Sequence, residues 1–273
     1  MKDVERQQKR FFDDKYSTIG KEALLENIRS IDYSIDYKKV KELFKKLNLG
    51  ETSLVLDISC GDRPQSFIFS PEAGSKVIGI DFSENGLRQA ARNKEGVGVK
   101  GTFMPILGDA TKLPFKERTF DAVIHSMALE HLDNPWASVE EASRVLKGGG
   151  KIFLYTPNEN FLFRQVHHKV FPSHLNSLGH SKERIYTFEE IRPAFRENGL
   201  SVEECSYLFN MVSAIWDLIL LPRFLRLLPR GSDGGASRFI SFIAYLLRGV
   251  AVLDRPFKRL GNSSALAIIA KKG

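Results

Sequence analysis

Three aspartates stand at or just past the ends of short apolar runs, and their spacing suggests what they would hold. Asp57 lies at the end of Ser53–Ile58, Asp81 follows Lys76–Ile80, and Gly108-Asp109-Ala110 follows Thr102–Leu107. After Asp57 come Ser59, Cys60 and Gly61, small residues that let a tight turn bring its backbone close to a ligand, with a helix N-terminus facing it. Asp81 stands 20 residues after Gly61, a spacing at which a strand-end carboxylate can accept both hydroxyls of a ribose. Asp109 can accept from an exocyclic amine, and Phe82 is available to pack on a purine face. Arg63 offers a guanidinium for a carboxylate. A ribose, an adenine and an amino-acid end together fit a nucleoside-bearing cofactor.

Residues in such an array need strands to carry them. Apolar runs at Ser53–Ile58, Lys76–Ile80, Thr102–Leu107, Phe120–His125, Lys151–Tyr155, Ser201–Tyr207 and Ala265–Ala270 read as strands. Helical segments alternate with them: Asn85–Asn93, a helix through Glu140–Leu146, and Thr187–Asn198, where Thr187 and Glu190 have capping-box spacing. Ahead of the first strand, Val40, Leu43, Phe44 and Leu47 give Asp36–Leu47 a helical stripe, and Gly50 follows its end. This alternation predicts an α/β fold with a mostly parallel sheet covered by helices on both faces, and ligands at the carboxyl ends of its strands.

The chain has 273 residues, 42% hydrophobic and 27% charged, which excludes collagen-like, low-complexity and wholly disordered classes. Cys60 and Cys205 make no disulfide framework and no metal-binding pair, so a reducing, cytoplasmic setting is expected. The first ten residues carry no apolar leader, and no apolar run reaches the ~18 residues a spanning helix needs.

Much of the net charge of +7 is concentrated in residues 209–262. There Arg223, Arg226, Arg230, Arg238, Arg248, Arg255, Lys258 and Arg259 face only Asp217, Asp233 and Asp254. The same stretch carries the helical stripe Phe239, Phe242, Ile243, Leu246, Leu247, Val250 and Leu253. A segment both basic and apolar is read here as a helical insertion. It serves as a peripheral membrane face, a lid or a homodimer surface; a nucleic-acid face is the weakest reading. The chain thus divides into an N-terminal helical cap (1–37), a core (38–208 with 263–273) and this insertion (209–262).

Taken together, Leu54–Gly61, Val77–Ser83, Gly108-Asp109-Ala110 with Leu113-Pro114-Phe115, Thr119-Phe120-Asp121, Leu129-Glu130-His131-Leu132 and Leu146–Gly150 resemble the successive motifs of class I S-adenosylmethionine-dependent methyltransferases. The similarity is to the small-molecule subgroup that includes the ubiquinone and menaquinone biosynthesis enzymes. It spans roughly Lys38 to Tyr207 plus the final strand. The resemblance implies a Rossmann-like seven-stranded sheet with its last strand antiparallel and S-adenosylmethionine as cofactor. It places Asp81 on the ribose, Asp109 near the adenine amine, Ala110 beside it, Phe82 against the ring, and Asp57–Gly61 around the methionine moiety. The chain departs from the family where Ser59 and Arg63 replace glycines and Pro64 follows. A dinucleotide-binding dehydrogenase is disfavoured, since its pattern needs glycines at 59, 61 and 64.

A sulfonium is already a good leaving group, so the protein mainly aligns an acceptor and keeps water out. An oxygen acceptor also benefits from a general base near neutral pH. His131 faces the methyl position in the family pattern, with His125 as its neighbour; the competing reading makes both structural. Glu130 is expected to be a solvated helix residue, His180 to be a loop residue, and Cys60 to be a small residue of the turn. His167, His168 and His174 lack flanking carboxylates or cysteines, so no metal is expected. Tyr16 is read as a cofactor contact or as part of a packing helix. The Thr156-Pro157-Asn158 segment resembles that of quinone-pathway O-methyltransferases. Because the Asn/Asp-Pro-Pro-aromatic run of base-modifying enzymes is missing after strand four, a nucleic-acid substrate is disfavoured. The expectation is therefore methylation of a small, hydrophobic or lipid-linked acceptor, at oxygen rather than carbon. A non-catalytic binding or scaffold protein is the alternative.

Overall fold

The computed structural model describes residues 10–14, 16, 34, 36–70, 73–97, 99–158, 185–208, 220, 242–243, 245–246, 263 and 265–273. Ahead of the sheet, helix α1 (Asp36–Lys45) buries Val40, Leu43 and Phe44 on one side and carries an acid in its first turn and a lysine in its last. Then β1 (Leu54–Ile58), α2 (Gln65–Phe69), β2 (Lys76–Asp81), α3 (Glu84–Val97) and β3 (Thr102–Leu107) alternate. They are followed by β4 (Phe120–Ser126), α4 (Pro135–Val145), β5 (Leu146–Pro157), α5 (Phe188–Glu197), β6 (Leu200–Leu208) and β7 (Ala265–Lys272).

The seven strands form one sheet in the order β3-β2-β1-β4-β5-β7-β6. All pairs are parallel except those of β7, which runs antiparallel to both β5 and β6. The chain runs outward from β1 through β2 to β3, then returns to place β4 on the other side of β1. That reversal opens a crevice at the carboxyl ends of β1 and β4, the place where such sheets bind ligands.

Side chains alternate between the faces of each strand. On one face Val55, Ala122, Ile124, Phe153 and Ile269 meet Phe44 of α1 and Phe67 and Phe69 of α2. On the other, Leu56, Val123, Ile152, Leu154 and Ile268 meet Val139 and Ala142 of α4 and Ile191 and Phe195 of α5. Burial on both faces is what makes the central strands read as continuous apolar runs. By contrast β3 is an edge strand. It carries Pro105, which can donate no ladder bond, and leaves Met104 and Leu107 exposed.

Two polar ties hold the strand ends in register. Asp121 accepts from the Leu54 amide at 2.9 Å and pairs with Lys147 at 2.6 Å, joining β4 to β1 and β5. Arg144 donates to the Phe115 and Leu113 carbonyls, and Glu141 accepts from the Leu113 amide at 2.7 Å. Together these fix the loop that follows Asp109. The Thr187–Glu190 capping box is present at the start of α5.

The structure departs from the sequence reading in two places. Leu146 opens β5 instead of ending a helix, and the register slips between the pairs Phe120–Leu146 and Ala122–Lys151. The glycines form this bulge: a Cβ on Gly150 would lie 2.9 Å from the Asp121 carbonyl. Helix α2 was not foreseen, because five residues are too few to show a helical period. Among the described residues no helix is long and apolar enough to cross a membrane. In the 209–262 segment the structure describes only Leu220, Phe242, Ile243, Tyr245 and Leu246. The expectations for the rest of that insertion, and for His167, His168, His174 and His180, lie outside the described residues.

Candidate active site

A cavity of about 590 Å³ opens at the strand tips. Ser59 reaches it from β1, Asp81 and Phe82 from β2, Asp109 and Ala110 from the loop after β3, and His131 from the turn after β4. Six predicted site residues are thus brought together from four separate stretches of chain.

The floor is built from backbone held by carboxylates. Asp81 accepts from the Gly61 amide through Oδ2 and from the Ser83 amide through Oδ1, each at 2.8 Å. Burial pushes its carboxyl up to about 6; the two amides oppose the rise, and Asp13 and Asp62 add to it. Asp109 Oδ1 accepts from both the amide and the hydroxyl of Thr111 at 2.7 Å, which folds the loop around the carboxylate.

The turn after β1 explains the usual glycines there. Ser59 has φ +53° and Gly61 φ +56°, so both occupy the left-handed region that a side chain resists. A Cβ on Gly61 would fall 2.5 Å from the Tyr16 hydroxyl. Tyr16 therefore lies directly over the bare turn. Burial first, then Asp81, Asp62 and Cys60, hold its phenol well above its ordinary value, with Arg63 opposing.

Residues 10–14 are helical, and Phe12 among them lines the cavity. Asp13 accepts from the Ser83 hydroxyl, and the Phe12 ring stands edge-on to His131 at 5.0 Å and to Phe82 at 6.0 Å. The sequence reading named Tyr16 but missed Phe12. An aromatic on an uncapped N-terminal stretch carries no period that points to a site. It also missed Leu107 and Met127, apolar residues that line the cavity while remaining exposed.

Asp57, Cys60, Gly61, Arg63 and His125 do not line the cavity. Asp57 accepts from the Gln65 amide at 2.9 Å and so starts α2; burial pushes it up to about 7. The sulfur of Cys60 sits where a Cβ on Gly79 would come within 2.7 Å, a packing role. Arg63 pairs with its neighbour Asp62 at 3.3 Å. His125 is fully buried, its Nε2 2.9 Å from the Ser138 hydroxyl, and burial lowers its pKa to about 4. That places His125 in the core rather than beside a reacting atom.

Glu130 requires the opposite correction. It was expected in solvent, yet it is fully buried on the three-residue turn Leu129–His131. The Thr156 hydroxyl lies 3.4 Å from its Oε2, and burial pushes its carboxyl up to about 8.

The chain is similar to known proteins. Residues 56–154 match the family model of a methyltransferase domain. The demethylmenaquinone methyltransferase of Staphylococcus saprophyticus is 33% identical over 135 residues, covering 49% of this chain and 56% of that protein. That of Oceanobacillus iheyensis is 31% identical over 143 residues, covering 51% and 60%. The matched stretch holds every cavity residue named above except Phe12 and Tyr16. The chain spans roughly three fifths of the length of these curated relatives. Among solved structures, the geranyl diphosphate C-methyltransferase of Streptomyces coelicolor A3(2) has TM-score 0.58 at 16% identity, covering 86% of this chain and 79% of that one. A 4+2 cyclase, SpnF, also has TM-score 0.58, at 17% identity and covering 86% and 80%. At such identities the likeness shows the fold alone, and a cyclase on the same fold shows that the fold does not dictate the reaction.

Proposed function

We propose that this chain is an S-adenosylmethionine-dependent methyltransferase that acts on a small, hydrophobic or lipid-linked acceptor, at oxygen. The observation that carries the reading is the cavity itself. The tips of β2 and β3 present Asp81, Phe82, Leu107 and Asp109, the stretch after β4 presents His131 with Met127 and Leu132, and Phe12 touches both Phe82 and His131. The fit to the cofactor rests on the turn after β1, where Ser59 lines the cavity and Gly61, at φ +56°, has no Cβ and lets Tyr16 close over it. Asp81 would hold the ribose, Asp109 and Phe82 the adenine, and Ser59 the amino-acid end. When bound, the cofactor supplies a methyl group activated by a sulfonium. The chain's own task is to orient the acceptor, exclude water under Phe12, and take the hydroxyl proton on His131.

The names of the relatives support a quinone-derived ring as acceptor, and the basic, apolar composition of 209–262 supports delivery from an anionic membrane face. Calorimetric titration with S-adenosylhomocysteine tests the first step, with saturable binding expected. The absence of heat would move the chain to the scaffold class, a reading favoured by Arg63 in place of a glycine. Product analysis after incubation with labelled S-adenosylmethionine and a prenylated catechol separates oxygen from carbon transfer. Flotation with phosphatidylglycerol vesicles tests the membrane face.

A further inference from the structure

Among the described residues that do not line the cavity, Glu130 is a buried ionisable group that the proposed chemistry has not used. Glu130 is fully buried, directly behind the cavity wall, in a turn of only three residues. A carboxyl there costs free energy unless something offsets it. Two neighbours are at hand. The Thr156 hydroxyl, from the tip of β5, lies 3.4 Å from Oε2, and His131 Nε2 lies 3.9 Å from Oε1. The second distance is that of an ion pair rather than a hydrogen bond. His131 in turn lines the cavity, where the Phe12 ring holds it edge-on.

We propose that Glu130 and His131 act as one proton-sharing pair, with Glu130 as the positioning residue that lets His131 take the acceptor's proton. The proposal rests on the methyltransferase reading for its consequence but not for its test. In the step it describes, a proton leaves the acceptor hydroxyl for Nε2 of the imidazole, the nitrogen 3.9 Å from Glu130 Oε1, and the carboxylate there offsets the charge so formed. The oxygen's electron pair is then free to bond to the methyl carbon. The other ionisable groups lining this cavity are Asp133 beside the pair, Asp81 and Asp109 on the facing strand tips, and Tyr16 from the N-terminal segment.

Burial pushes the Glu130 carboxyl up to about 8, and its Oε1 stands at ion-pair distance from the imidazole. Two groups coupled in this way titrate in two steps that belong to the pair. The test is the pH titration of the His131 ring signals by NMR on the full chain, without ligand. The native protein should show two inflections, one of them above neutrality. Glu130→Gln should show a single inflection, and Glu130→Asp should keep two. A single inflection at one pH in both the native chain and Glu130→Gln overturns the proposal. Should Glu130→Gln fail to fold, the native curve alone decides: one inflection overturns, two support. S-adenosylhomocysteine titration of the same samples separates the outcomes, because Glu130 is outside the cofactor side of the cavity. Loss of that binding in the native chain sinks the methyltransferase reading while leaving the pair standing. With binding intact, the alkaline limb of the methylation rate, rising through about pH 8 in the native chain, should be missing from Glu130→Gln.

Discussion

The two halves of the cavity are built differently. On the cofactor side the carboxylates hold backbone: Asp81 grips the Gly61 and Ser83 amides and Asp109 grips Thr111. The acceptor side, after β4, is a short turn with apolar walls, and its ionisable groups meet one another instead. The first half shapes a site for a fixed ligand from main-chain geometry. The second leaves side chains free to set chemistry and acceptor shape. Substitutions on the two sides should therefore fail in different ways.

The most disruptive test of this contrast is Asp81→Ala. It removes the acceptor of two amides as well as the proposed ribose ligand, and should weaken S-adenosylhomocysteine binding at least ~100-fold, about 3 kcal/mol, by calorimetry. Unchanged affinity would break the comparison at its root. Next come the two histidines. His125→Gln, in the core, should lower stability by about 1–3 kcal/mol in urea unfolding while the pH profile of methyl transfer keeps its shape. His131→Gln should do the reverse, slowing transfer by roughly 100-fold, the size of a general-base contribution, with little change in stability. If both act alike, the distinction between core and cavity histidine is lost.

Gly61→Ala should cost about 1–2 kcal/mol for the left-handed backbone alone, with further loss from the 2.5 Å clash with the Tyr16 hydroxyl. Tyr16→Phe in the same chain should recover part of the cofactor affinity. The pH dependence sharpens the contrast without mutation. Asp57 is raised from 3.8 to about 7 and Asp81 from 3.8 to about 6. The folded chain without ligand therefore binds more protons than the unfolded one across this range. The stabilisation is full below about pH 4 and is lost as pH rises to about 7. Melting temperature should fall over that window, and less so in Asp57→Asn. The smallest expected effect is a gain. Ser59→Gly relieves φ +53° and should stabilise the fold by about 1 kcal/mol in urea.

Strand positions were legible because buried strands must be apolar along their whole length. The predicted ends of β3 match the structure, and those of β1, β2, β4 and β6 shift by about a residue at one or both ends. The strand-tip carboxylates were legible for a related reason: a charged residue at the end of an apolar run has nowhere to go but the sheet's edge. Helix α2 and the glycine bulge in β5 were not, since one is shorter than a period and the other depends on which strand lies beside it.

The chain's linear pattern by itself determined the alternating α/β order, the tips that carry Asp81 and Asp109, and the small-residue turn after β1. It did so because hydrophobic period and residue size act locally, over a few positions. Only the tertiary structure decided which charged groups lie inside. Asp57 at a helix start, His125 against Ser138, Glu130 by Thr156 and Tyr16 over Gly61 all depend on how the chain packs. Burial is a property of what packs above a residue, and no spacing along the chain encodes that neighbour.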